Sequence, residues 1–466
     1  MTEAVRGDAA DVRDREPGVS AELVAATENA VALRDRAQLV ALAGDLHEAD
    51  LGALLEALDP ESRPRLVALM GDEFDFAALT EIPDHLRDEI IESLSTDVVA
   101  EGVRELESDD AAAILGDLDE DDRREILGAI PTAERLEIQR SLDYPEHSAG
   151  RLMQTTVITV LPEWTAGQAL DMLRDSDEET LPDSFFEIFV VNDSRRFLGT
   201  IFLDALIRAR PATVVTSIMQ ADRRQVAVLD DREQVARIFE RYNLVSAPVI
   251  DARGRLAGVV TIDDIVDVIQ DVAEEDMKAL GGVSPREELD DPILSIARGR
   301  CVWLAVNLVT AFLATSVLAL FQNELQKMVA LAILAPIVAS QGGNAATQTM
   351  TVAVRALATQ ELSRANATRI VLRELAVGLL NGFVFGALTG AAAAIWFGTN
   401  ALGAVIAAAM LTNLVAAALG GIAVPLGLHR LRIDPAVSSG SFVTTITDIV
   451  GYFSFLSFAT LWFGLG

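Results

Sequence analysis

Five apolar runs fill the C-terminal part of this chain, at 301–321, 328–354, 370–397, 401–428 and 441–465. Each exceeds the ~20 residues that a helix needs to cross the hydrocarbon of a bilayer. Lipid offers the backbone no water, so each spanning segment must satisfy its own amides, and helices do so. The segments read as a five-helix transmembrane bundle. Small residues crowd them, as in GALTGAAAA at 386–394 and AAALGGIA at 416–423. Small faces let helices approach closely, which a bundle requires and a single anchor does not.

Charge divides the chain into two unlike parts. The net charge is −33, yet residues 292–466 hold five acidic and nine basic residues, a balance of +4, so residues 1–291 carry −37. Such an acidic half repels phosphate and excludes nucleic acid as a partner, whereas it attracts cations. General acidity serving solubility explains part of this charge. The N-terminus, MTEAVRGDAADVRDREPG, has no apolar core and reads as no signal peptide. With the N-terminus inside, the inner segments hold Arg298, Arg300, Arg355, Arg364, Arg369, Arg373, Arg430 and Arg432, and the outer loops only Lys327. This asymmetry predicts a multi-pass protein of the cell membrane, N-terminus cytoplasmic and C-terminus outside. The single cysteine, Cys301, excludes an internal disulfide and a thiolate metal cluster.

The spans are not uniformly apolar. Asp448 lies inside the fifth, where a carboxylate costs at least ~2.5–3.5 kcal/mol unless it faces water or a cation. The second span carries Pro336, then Gln341, Gly342, Gly343 and Asn344, then Gln348. Proline and paired glycines predict a helix interrupted in its middle. Gln341, Asn344 and Gln348 share one helix face and could point into a pore; interhelical hydrogen bonding is the alternative. Asn307, Asn381 and Asn413 stand alone and read as packing. With the hydroxyls of Thr444, Thr445 and Thr447, the polar inventory is all oxygen. Oxygen suits hard cations such as magnesium or calcium, not zinc or copper. A proton or sodium path would also use an aspartate.

The acidic half holds two repeat systems. LLEALDPESRPRLVAL (54–69), EIPDHLRDEIIESL (81–94) and ILGDLDEDDRREIL (114–127) share an apolar stripe, an acidic turn and an arginine. They predict an all-α superhelical stack of short helices, none able to bury its own face. The second repeat is sharper: FVVNDSRRFLGTIFLDAL (189–206) aligns with PVIDARGRLAGVVTIDDI (248–265) at a constant offset of 59. Each copy reads strand, turn, strand, helix. Residues 263–276 carry seven carboxylates that repel one another, a segment whose packing cations would bias.

The second repeat resembles a tandem pair of CBS domains, an α/β fold. In that family a Thr or Ser and an Asp three residues later hold a ribose, so the resemblance implies a nucleotide such as ATP at Thr261 and Asp264. The first copy has Phe202 and Ala205 there. A helix cap accounts for Thr261 equally well. The whole order closely resembles the MgtE family of magnesium transporters and channels. It runs from a helical repeat through SLDYPEHSAGRLM (141–153), two CBS copies and an acidic helix to five spans. The second span matches that family in Pro336, Gly342, Gly343, Asn344 and Gln348, the fifth in Asp448 and Gly451. The resemblance implies a homodimer with a pore between subunits, its ion path including Asp448, Asn344, Gly342, Gly343, Thr444 and Gly451. It also implies regulatory magnesium on Asp109, Asp231, Glu233, Asp264, Glu275 and Asp276, to which the acidic helix adds Asp267. Bound metal would hold the pore closed.

The expected domains are an acidic disordered N-terminus at 1–28, a helical repeat at 29–147 and CBS copies at 148–219 and 220–270. An acidic connecting helix at 271–298 and the transmembrane domain at 299–466 complete them. Two other classes are alternatives: a transporter of another divalent cation such as cobalt, and a membrane-anchored CBS sensor without transport. No Ser-His or His-Glu-x-x-His arrangement appears and one intramembrane aspartate is no protease pair, so no enzyme is expected.

Overall fold

The computed structural model describes residues 19–176, 181–182, 184–285, 287, 293–358 and 367–465. The expected disordered stretch at 1–18, parts of the linker (286 and 288–292) and Arg364 lie outside the described residues. The chain forms two compact units, divided after Gln270.

Among the described residues the first unit opens with nine α-helices. They are α1 (Ala21–Leu33), α2 (Arg36–Ala43), α3 (Glu48–Ala57), α4 (Arg63–Met70), α5 (Asp84–Ser93), α6 (Thr96–Glu105), α7 (Ser108–Asp117), α8 (Glu120–Ala129) and α9 (Thr132–Leu142). The helical region thus starts before residue 29. Ser20 accepts from Leu23 N and caps α1, and Thr27, Ala30 and Val31 are buried against the stack, so residues 21–28 are helical rather than disordered. One continuous core, from Ala30 to Ile138, joins the helices. The repeat's arginine has a structural task in two copies. Arg63 donates to Leu55 O and Glu56 O at the end of α3, and Arg123 donates to Leu115 O, Gly116 O and Leu118 O at the end of α7. Each guanidinium closes the C-terminal carbonyls of the preceding helix. In the third copy Arg87 pairs instead with Asp84 and Asp117.

Two small sheets follow. In the first, β1 (Thr159–Val160) pairs parallel with β2 (Glu187–Val191), which pairs antiparallel with β3 (Phe197–Phe202). Helix α10 (Ala166–Asp175) precedes β2 and α11 (Leu203–Arg208) follows β3. In the second, β4 (Val226–Ala227), β5 (Ser246–Ile250) and β6 (Leu256–Thr261) repeat that order, with α12 (Arg232–Tyr242) before β5 and α13 (Ile262–Leu280) after β6. The 59-residue offset is kept down to an irregularity at the same place, Val190/Val191 and Val249/Ile250.

The second unit holds α14 (Ile293–Leu320), the short α15 (Gln322–Lys327), α16 (Val329–Ala358), α17 (Ala367–Phe397), α18 (Asn400–Arg430) and α19 (Pro435–Phe463). Five of these are long and apolar enough to cross a membrane. The expected break in the second span is absent: α16 is continuous over 30 residues with Pro336 inside it. Pro336 removes one donor, the bond to the carbonyl of Ala332, and the flanking turns carry the helix through. Gly342 of α16 serves packing instead. Along α17, Gly378, Gly382, Gly386 and Gly390 are all buried against α18. A Cβ on Gly386 would come 2.9 Å from Ala407 O, so the two helices meet backbone to backbone, as the small-residue runs predict.

Candidate functional site

The first candidate site is built where α7 meets the second CBS copy. Residues 153–155 clasp the start of α7. Ser108 Oγ donates to Met153 O, Thr155 N donates to Ser108 Oγ at 2.8 Å, and Gln154 binds Glu107. Gln154 also exchanges backbone hydrogen bonds with Val259 of β6. The strand that leads into α13 is thereby tied to the N-terminus of α7, and the first turns of the two helices bring their carboxylates together.

Asp109 is buried, and neither of its carboxylate oxygens has a hydrogen-bond partner. Burial lifts its pKa well above the ordinary range, the nearby charges of Asp264, Asp110 and Glu107 add to this, and only its own backbone amide opposes the rise. Asp264 is pushed up to about 7, first by burial and then by Asp263 and Asp110, against the opposing bond from Thr261. Asp110 is pushed up to about 6 by burial and by Glu48, Glu81, Asp263 and Asp267. Burial also raises Asp267, with Asp263 beside it. Burial raises Glu81 too, followed by the charges of Asp267 and Glu48. Acidic groups from α3, α7, α13 and the segment before α5 therefore share one region with little positive charge between them. A buried carboxylate that has lost its water and found no donor leaves a need that a cation meets. Among the described residues no three His, Cys, Asp or Glu side chains converge as direct ligands. An ion held there would keep much of its water, as magnesium does.

The expected sensing residues thus separate. Asp109, Asp264 and Asp267 meet. Asp231 instead caps α12, accepting from Glu233 N at 3.0 Å, and Glu233 pairs with Arg237. Glu275 and Asp276 lie on α13 past Gln270, in the second unit. Glu48, Glu81, Asp110 and Asp263 are additions; the Asp109-Asp110 pair opening a helix, the acidic turns of the repeat and the carboxylate run at 263–276 were their traces in the sequence. The expected ribose pair also divides. Thr261 lines a cavity of about 210 Å3 between the CBS copies, while Asp264 is absent from its lining and takes the Thr261 hydroxyl at 2.7 Å.

The second candidate site lies in the spans. Asp448 is half-buried on α19, one turn from Thr444 and Thr445. Asn344 is exposed on α16, and Gly343 lies 3.8 Å from Thr444 Cγ2 as measured from its would-be Cβ. A cavity of about 660 Å3 opens beneath, lined by Asn307, Thr347, Ser441, Thr444 and Arg300. Gly342 and Gly451 are corrections: both are buried against Asn413 of α18 rather than on this polar face, because only glycine leaves room for that side chain. Asn413, fully buried, donates to Val338 O at 2.8 Å. Gln348 also leaves the expected pore face and turns to a crevice beside α17.

Comparison with known proteins follows the same division. Residues 46–147 match the MgtE intracellular N domain, 149–212 and 215–271 match CBS domains, and 335–458 match the MgtE divalent cation transporter family. The magnesium transporter MgtE of Thermus thermophilus is 35% identical over 324 residues, covering 68% of this chain and 70% of that protein. MgtE of Bacillus subtilis is 30% identical over 323 residues, covering 69% and 71%. The crystal structure of the soluble part of a magnesium transporter superposes with a TM-score of 0.50 at 25% identity, covering 54% of this chain and 98% of that one. The chain belongs to the MgtE family of divalent cation transporters.

Proposed function

We propose that this protein conducts magnesium across the cell membrane and that cytosolic magnesium closes it. The observation that carries the reading is Asp109, buried with both carboxylate oxygens unpartnered beside Asp264. Without cations, repulsion drives α7 and α13 apart. With a hydrated cation between them the contact holds, so the ion binds the closed arrangement better and shifts the equilibrium toward it.

The path itself runs along Asp448, Asn344 and Thr444. Asn344 is exposed and Asp448 half-exposed in a single chain, on helices that lie at hydrocarbon depth. Lipid is a costly neighbour for such groups, and a second copy covering that face would turn it into an aqueous path between subunits. One carboxylate per chain suits an ion that crosses with most of its water. The arginines flanking the spans orient the N-terminus to the cytoplasm and the C-terminus outside.

Liposomes holding the purified full-length protein test the reading. Magnesium uptake should occur, and magnesium placed on the side of the acidic domains should suppress it. Uptake indifferent to magnesium on that side would refute the gate; no uptake at all would refute the transporter.

A further inference from the structure

A crevice of about 150 Å3 opens between α16, α17 and α18. Its polar lining is Gln348 and Thr349 from α16 with Glu374 and Asn381 from α17. None of its lining belongs to α19, the helix that carries Asp448. Glu374 lies a little over two turns into α17, and Thr349 donates its hydroxyl proton to Glu374 Oε2 at 3.3 Å. Among the described residues no Lys or Arg side chain pairs with this carboxylate. A charged group in a span that has no partner of opposite sign draws one from solution or pays heavily for its burial.

The donor set names the class. A carboxylate, a hydroxyl and two amide oxygens are hard ligands, and neither His nor Cys lines the crevice. The crevice has room for an ion that keeps part of its hydration shell. Glu374 supplies the one charged ligand. Gln348, Thr349 and Asn381 then bind the waters the ion keeps.

We propose that this crevice is a second cation site within each subunit, separate from the Asp448 path. It takes a partly hydrated divalent cation with Glu374 as its direct ligand. The proposal rests on the reading of the chain as a divalent cation transporter, and its test can fail independently of it.

Manganese is the probe. Full-length protein carrying Cys301→Ser and Leu379→Cys, spin-labelled at the exposed position 379, is placed in nanodiscs and titrated with Mn2+. Nitroxide broadening should saturate, be competed by magnesium and persist in Asp448→Asn. Glu374→Gln should abolish it, and Asn381→Leu, which keeps the carboxylate but removes a water partner, should weaken it by about tenfold. Broadening unchanged by both substitutions, or lost in Asp448→Asn alone, would overturn the site. If Glu374→Gln does not fold, Asn381→Leu decides by the same criterion. Magnesium uptake by wild-type liposomes is measured in parallel: broadening without uptake would support the site and sink the transport reading.

Discussion

Asn413 reaches from α18 to the carbonyl of Val338 on α16, 2.8 Å away, through space left by Gly342 and Gly451. Three helices are keyed together by one buried amide. Gly342→Ala would drive a methyl into that amide. It should cost ~1–3 kcal/mol, read as a lower midpoint of thermal unfolding in detergent. Asn413→Ala on top of it should cost less than the two single changes together, because the clash goes with the side chain. Additive losses would mean that the glycine matters for some other reason.

Asp448→Asn keeps the shape of the side chain and removes its charge. Magnesium uptake should fall to the level of empty liposomes while the elution profile of the purified protein stays unchanged. Normal uptake would make the carboxylate structural.

Acidity should substitute for magnesium at the α7–α13 contact. Asp110 and Asp264, pushed up to about 6 and about 7, hold protons more tightly in the packed contact than in an open chain. Their contribution is fully present below the ordinary value of 3.8 and is lost as pH rises through 6 and 7. Magnesium should therefore raise resistance to protease markedly at pH 8 and little at pH 5. Equal protection at both would show that these carboxylates are not where the ion acts.

Arg123→Ala should destabilise the helical region by ~1–3 kcal/mol, since three carbonyls at the end of α7 lose their donor. Arg123→Lys should recover little, because one ammonium lacks the planar fork that reaches all three. Melting of the full-length protein in parallel with the wild type checks both.

The spans and the doubled CBS unit were legible because periodicity and length are local. An apolar run declares its own crossing, and the 59-residue offset carried even the strand irregularity at Val190 and Val249. What stayed hidden depends on partners distant in sequence. Asp110 and Glu81 join the site only because α7 and α13 meet around them. Gly342 read as a helix breaker because its neighbour Asn413 lies on another span. Asp231 and Glu233, ligands by the family resemblance, also serve the first turn of α12, a use that any acidic residue at a helix start can have. Glu374 stands beside Arg373, where one charge near a helix end looks like another.

The glycine ladder of α17 has a mechanical consequence. Side chains interleave and can slide or re-pack, but backbones in direct contact leave nothing to rearrange. Gly378, Gly382, Gly386 and Gly390 lock α17 to α18 over four successive turns, while α17 touches α16 at few points. Because α18 is in turn packed along α16 and α19, α17 is carried by the bundle through α18 and must follow its movements as one rigid body.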